Sequence, residues 1–209
     1  MLKSYPLELN VSLSGWRLYN MRLQDPRFKP IFEKVEARQL EQCIYCGFCA
    51  DSHMSVVNLN QNYRDNKLEN MALSCPFCAQ CGFLESIGVS GFGGAVLIYL
   101  PQVSQSELNL LCHALFSQMI LGGQHADAAK NKYRDLRLKT KAVEDCYGEG
   151  MSKPHRLGQL LLDAPIMRGH NDKVREYLKD LRLLPTYTRY ILELMDGAAQ
   201  SIDFWRLDR

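Results

Sequence analysis

Residues 43–49 read Cys-Ile-Tyr-Cys-Gly-Phe-Cys, and residues 75–81 read Cys-Pro-Phe-Cys-Ala-Gln-Cys. In each run the first two cysteines are two residues apart, so a tight turn can aim both sulfurs at one point while backbone amides face them. Two such turns supply the four thiolates that a tetrahedral zinc site prefers. The spacing predicts one structural zinc ion held by Cys43, Cys46, Cys75 and Cys78. Such an ion favours the deprotonated thiols and contributes about 10–16 kcal/mol in small structural sites. That is enough to decide whether a short β-hairpin folds at all.

The third cysteine of each run, Cys49 and Cys81, opens a second reading. The pattern Cys-x2-Cys-x2-Cys also precedes a remote fourth thiolate in iron–sulfur proteins. Neither triplet has the following Cys-Pro, and the remote ligands would have to be Cys112 and Cys146, which lie in helical patterns where a small apolar residue fits. Cys81 is a candidate to replace one of the four zinc ligands, and Cys49 reads as a nearby spare. His53 is close enough to compete, although a single histidine in a turn is more often solvated.

Around these runs the composition is that of a soluble globular protein, with 46% of 209 residues hydrophobic and 23% charged. A formal charge of +2 neither demands nor excludes a polyanionic partner. The first six residues carry one cation and no apolar run behind it, so no secretory signal is expected. The apolar stretches at 95–100 and 114–116 fall far short of the roughly 20 residues a membrane-spanning helix needs. A cytoplasmic, reducing setting follows, in which close cysteine pairs more often hold metal than form disulfides.

Upstream of the first run, Leu7, Leu9, Val11 and Leu13 alternate with polar residues, which predicts a half-buried strand. Ser14-Gly15 would turn the chain into a second strand at Trp16 to Tyr19, and a helix from Pro26 would end before Gln42. Residues 55–59 read as a short strand, four glycines at 88, 91, 93 and 94 as a loop, and 95–100 as a strand stopped by Pro101. Ser104 and Glu107 have capping-box spacing, with Leu108, Leu111, Cys112, Leu115 and Met119 on one stripe of the helix that follows. Beyond residue 124 the reading is wholly helical. One helix carries Ala129, Tyr133, Leu136, Val143 and Tyr147, another Val174, Leu178 and Leu181, and a third Ile191, Met195, Ala198, Ile202 and Trp205. The fold class expected is α+β, with a zinc-knuckle module at 1–123 and a mainly helical region at 124–209, packed on it or continuous with it.

The frame from Lys34 to Cys78 resembles the HNH (ββα-metal) nucleases, with a helix running into Cys-x2-Cys-Gly, a hairpin, then Leu68-Glu-Asn70-Met before the second pair. Catalysis in that family needs a histidine general base facing a metal-bound phosphate. Here Asn58 and Asn60 stand near the base position, Ala79 stands where a metal-binding histidine would follow, and residues 54–111 contain no histidine. Asn70 matches the central asparagine, which fits a hairpin-locking role as well as catalysis. The expectation is a retained scaffold without the chemistry, and hence no enzyme.

A more specific resemblance covers about residues 14–185. Ser14-Gly-Trp16-Arg-Leu-Tyr19, residues 75–89, Gly91-Phe-Gly-Gly94, Leu97-Ile-Tyr-Leu-Pro101, Gln105-Ser-Glu-Leu-Asn109 and Cys146-Tyr-Gly-Glu-Gly150 are similar to the IcmJ (DotN) family. The resemblance implies a non-enzymatic subunit of the Dot/Icm type IVB secretion system of intracellular bacteria, peripherally associated with the inner-membrane complex. Members attach to the C-terminal part of the DotL ATPase, in a complex with DotM, IcmS, IcmW and, in some species, LvgA, which presents effector proteins for export. Cys49 departs from the family pattern. For capture of a partner peptide, Trp16, Tyr19, Phe83 and Phe92 are aromatic candidates, though such residues are more often core. Six cations against Asp135 at 130–141 suit an acidic partner segment, after the plainer reading of a solvated helix face and ahead of nucleic acid.

Overall fold

In the computed structural model, which describes residues 5–12, 14–49, 53–89, 91–164 and 171–186, the chain enters as an extended segment and not as a hairpin. Leu9 and Val11 are buried, the Asn10 N–H donates to the Cys81 carbonyl at 2.9 Å, and the Leu84 N–H donates to the Asn10 carbonyl at 3.1 Å. These two bonds hold the segment against short 3-10 turns, so no ladder forms; Leu13 lies outside the described residues. The expected second strand is helix α1 (Gly15–Gln24). Trp16 and Tyr19 sit three residues apart, and that spacing stacks both rings on one helix face against Phe83.

Helix α2 (Lys29–Gln39) has Pro30 in its first turn and ends on Leu40, whose φ of 52° is left-handed. The first cysteine turn follows directly. Strand β1 (Ser55–Asn58) pairs antiparallel with β2 (Met71–Ser74), from Ser55↔Ser74 to Asn58↔Met71. Helix α3 (Pro76–Ala79) is a single turn carrying the second cysteine pair. After the glycine loop comes β3 (Ala95–Tyr99), then α4 (Gln105–Leu121), which opens on a complete Ser104/Glu107 capping box and closes at Gly122 with φ 71°.

The C-terminal half is not wholly helical. Helices α5 (Ala126–Leu138) and α6 (Thr140–Tyr147) replace the single helix expected there, the break falling at Lys139. Helix α7 (Pro154–Asp163) has no counterpart in the sequence reading, and α8 (Asn171–Leu178) stops short of Leu181. Leu181 instead begins β4 (Leu181–Pro185), antiparallel to β3 from Ala95↔Pro185 to Tyr99↔Leu181. The strand prevails because β3 offers an edge and Leu181, Leu183 and Leu184 can all be buried. This pairing joins residues from both sides of the glycine turn at 122–123. The stripe from Ile191 to Trp205 lies outside the described residues. The fold is α+β, with two small two-stranded sheets amid helices among the described residues.

One buried cluster gathers the cysteine turns, β2 and α4; a second gathers the N-terminal segment, β3, β4, α7 and α8. They meet across the sheet of β3 and β4, where Ile98 and Leu184 belong to the first and Leu97 and Leu183 to the second.

Candidate metal centre

Each cysteine turn is built by its own backbone. In the first, the Cys43 N–H donates to the Phe48 carbonyl and the Gly47 N–H to the Cys43 carbonyl, both at 2.9 Å. Gly47 has φ 74°, a conformation that disfavours a side chain and lets the chain double back after Cys46. The Ile44 N–H donates to the Leu73 carbonyl at 2.9 Å, which docks this turn on β2. In the second, the N–H groups of Cys78 and Ala79 both donate to the Cys75 carbonyl.

The result is a cluster in which the Sγ atoms of Cys43, Cys46, Cys75 and Cys78 all lie within 4.8 Å of one another. Cys46 and Cys75 are 3.7 Å apart. A tetrahedron with zinc–sulfur bonds of about 2.3 Å has edges of about 3.8 Å, so the spacing fits a metal. It is far from the roughly 2.05 Å of a disulfide. Three of the four are buried, and Cys46 is half-buried. Burial pushes Cys43 up, but hydrogen bonds from Cys46, Cys75 and Cys78 outweigh it and hold Cys43 well below the usual thiol range. Cys75 and Cys78 are pushed well above that range, by burial first and then by the Cys43 and Cys46 sulfurs. Full ionisation of so crowded a set calls for a cation among the sulfurs, and the four cysteines could hold a metal ion.

The other candidates stand apart. Cys81 donates to the Phe77 carbonyl at 3.3 Å and belongs to the second buried cluster, and burial pushes its thiol up. Cys49 is exposed, with its Sγ directed at the Gly47 carbonyl at 3.8 Å. Cys112 is buried with its thiol pushed up to about 12 by burial, and Cys146 is exposed. His53 is exposed, with φ 70°, and lines a cleft of about 360 Å³ together with Tyr19, Leu23, Phe77 and Phe92.

Helix α4 supplies residues that the cysteine spacing does not reveal. His113 Nε2 lies 3.3 Å from Cys75 Sγ, and its ring is stacked between Phe48 at 3.6 Å and Phe77 at 4.2 Å. Burial pushes the imidazole down to about 3. Asn109 Nδ2 donates to Cys78 Sγ at 3.2 Å. From α2, Gln39 accepts the Leu73 N–H at 2.7 Å behind the first turn. The available signal was three polar residues, 105, 109 and 113, at four-residue spacing on the face that also carries Leu108 and Cys112.

The hairpin residues relevant to an HNH active site are tied into structure. Asn70 Nδ2 donates to Asn60 Oδ1 and to the Asp65 carbonyl, at 2.9 and 3.0 Å. Asn58 Nδ2 donates to the carbonyls of Asn62 and Asp65. The four aromatic candidates also pack inward. Phe83 and Tyr19 are buried, and Trp16 stacks 3.9 Å from Phe92. No helix among the described residues is long and apolar enough to cross a membrane.

No protein-family model matches the chain. It is 40% identical over 198 residues to the type 4 apparatus protein DotN of Legionella pneumophila subsp. pneumophila (strain Philadelphia 1), a match covering 94% of this chain and 91% of that protein. With that identity over nearly its whole length, the chain belongs to the DotN family of type 4 apparatus proteins.

Proposed function

We propose that this chain is a non-catalytic, zinc-stabilised adaptor subunit of a type IVB secretion coupling-protein complex. In this reading it binds the C-terminal segment of a DotL-type ATPase, shares the complex with DotM, IcmS, IcmW and, in some species, LvgA, and supports recruitment of effector proteins for export. The observation that carries the reading is the near full-length likeness to a type 4 apparatus protein. Zinc suits the four-sulfur cluster by distance and donor type, since an all-thiolate set favours it over harder cations. The ion would hold the two turns on either side of the β1–β2 hairpin, in keeping with an HNH-like zinc-knuckle scaffold.

Partner capture falls to the surface. Lys130, Lys132, Arg134, Arg137, Lys139 and Lys141 are all exposed, and we assign this stretch to an acidic segment of the partner. The test is co-purification of the full-length protein with a C-terminal fragment of its ATPase, joined to elemental analysis. A stable complex with about one zinc per chain supports the reading; failure to associate removes the adaptor role, and a metal-free native preparation removes the zinc.

A second reading, a nucleic-acid-binding protein or residual HNH-type endonuclease, is favoured only by the hairpin and by His53 in its cleft. Magnesium-dependent plasmid nicking lost in His53→Ala would establish it against the adaptor reading.

A further inference from the structure

Helix α4 meets the sulfur cluster with a row of polar side chains on its buried face. Gln105, Asn109 and His113 recur every four residues, at 3%, 0% and 3% exposure. The polarity of this row is fixed from strand β4 inward. The Leu183 N–H donates to Gln105 Oε1 at 2.8 Å, and Gln105 Nε2 donates to the Leu183 carbonyl at 2.9 Å. Reversing the Gln105 amide would set donor against donor and acceptor against acceptor, so only one orientation satisfies both groups. The same Nε2 donates to Asn109 Oδ1 at 2.9 Å, which fixes the Asn109 amide in turn. Its NH2 is left facing Cys78 Sγ at 3.2 Å, with Cys81 Sγ as a second and longer contact at 3.9 Å. An amide NH2 offers no lone pair, so the sulfur must be the acceptor, the role of a metal-bound thiolate.

We propose that Gln105 and Asn109 form a polarity relay that orients Cys78 as a metal ligand and links the metal centre to strand β4. The relay rests on the metal-centre reading above. Both are positioning residues, since neither belongs to the sulfur cluster. Groups that orient ligands from behind change metal affinity by about 10–100-fold when removed. The link also runs outward. Withdrawing the metal frees Cys78 from a fixed position, so the row loses its inner anchor and its outer pairing with Leu183 loosens.

The test uses the full-length zinc-loaded protein and two variants. Asn109→Leu removes the donor to sulfur. Gln105→Glu keeps the size but cannot donate, so Asn109 gains by turning its NH2 toward residue 105 and its oxygen toward Cys78. Zinc affinity is measured by competition with a chromogenic chelator, and amide hydrogen exchange over 181–185 with and without chelator. Folding of each variant is checked by circular dichroism. Expected are one zinc per chain in all three proteins, with affinity about 10–100-fold weaker in both variants. Chelation should speed exchange at Leu183 in the parent, and Gln105→Glu should blunt that response. One zinc per chain with unchanged affinities, or a Leu183 amide indifferent to chelation in the parent, overturns the relay alone. A parent protein that takes up no zinc overturns the metal reading and the relay with it. Should Asn109→Leu fail to fold, the Gln105→Glu affinity and the parent's exchange response decide the matter.

Discussion

Glu85 shows at the scale of one residue what burial does to a charge. Among the described residues its Oε1 is buried without a hydrogen-bond partner, while Oε2 accepts the Ser12 N–H at 3.3 Å. Burial pushes the carboxyl up to about 7. A carboxyl whose folded value exceeds its unfolded value stabilises the fold at low pH and costs stability as pH rises through the window between about 4.5 and 7. Glu85→Gln is therefore expected to leave thermal stability at pH 4.5 nearly unchanged and to raise it at pH 8, by up to about 3 kcal/mol. Melting curves at both pH values check this. At the sulfurs, Cys78→Ala is expected to abolish zinc retention and lower the melting temperature, read by elemental analysis and calorimetry. The cysteine quartet was legible because a two-residue gap is a property of the chain itself. The place of Cys81 was not, since it depends on how the turn at α3 rotates the next sulfur away toward Phe77.

At the scale of elements, close approach matters more than composition. Helix α7 crosses the turn at 84–86 so tightly that a Cβ on Gly158 would lie 2.5 Å from the Glu85 backbone nitrogen. Gly158→Ala must force the two apart, at a cost of about 1–3 kcal/mol, visible as a lower denaturation midpoint. Ser104→Ala removes the capping hydroxyl of α4 and is expected to cost about 1 kcal/mol in the same assay. That cap was readable because its two residues stand at a fixed spacing and need no tertiary partner. Helix α1 was misread because Ser14-Gly15 also suits a hairpin turn, and the spacing of Trp16 and Tyr19 decides only once Phe83 and Phe92 are there to pack against. Strand β4 was misread for a related reason: Leu-Arg-Leu-Leu-Pro continues a helical stripe, and only the distant edge of β3 makes it a strand.

Over the whole molecule, charge is uneven. The stretch 130–141 carries six cations and one acid in a chain whose formal charge is +2, so the remainder is net acidic. Lys130, Arg134 and Arg137 follow one face of α5, and Lys141 lies in the first turn of α6. Replacing these four by glutamate is expected to abolish capture of an acidic ATPase segment. Raising salt should weaken capture by the parent, as pull-downs across an ionic-strength series would register. The pairing of β3 with β4 bears on a different moment in the life of the chain. Ala95 must wait for Pro185, 90 residues later, and synthesis at about 5–20 residues per second makes that wait on the order of 5–20 s. The two cysteine turns are complete by residue 78 and can close around a metal long before then. During the interval the apolar strand Ala-Val-Leu-Ile-Tyr has an open edge on a nascent polypeptide, exposed to whatever other chains are near. A protein ending at Asp180 would keep that edge open for good, so it should accumulate as aggregate even where its cysteine turns are intact.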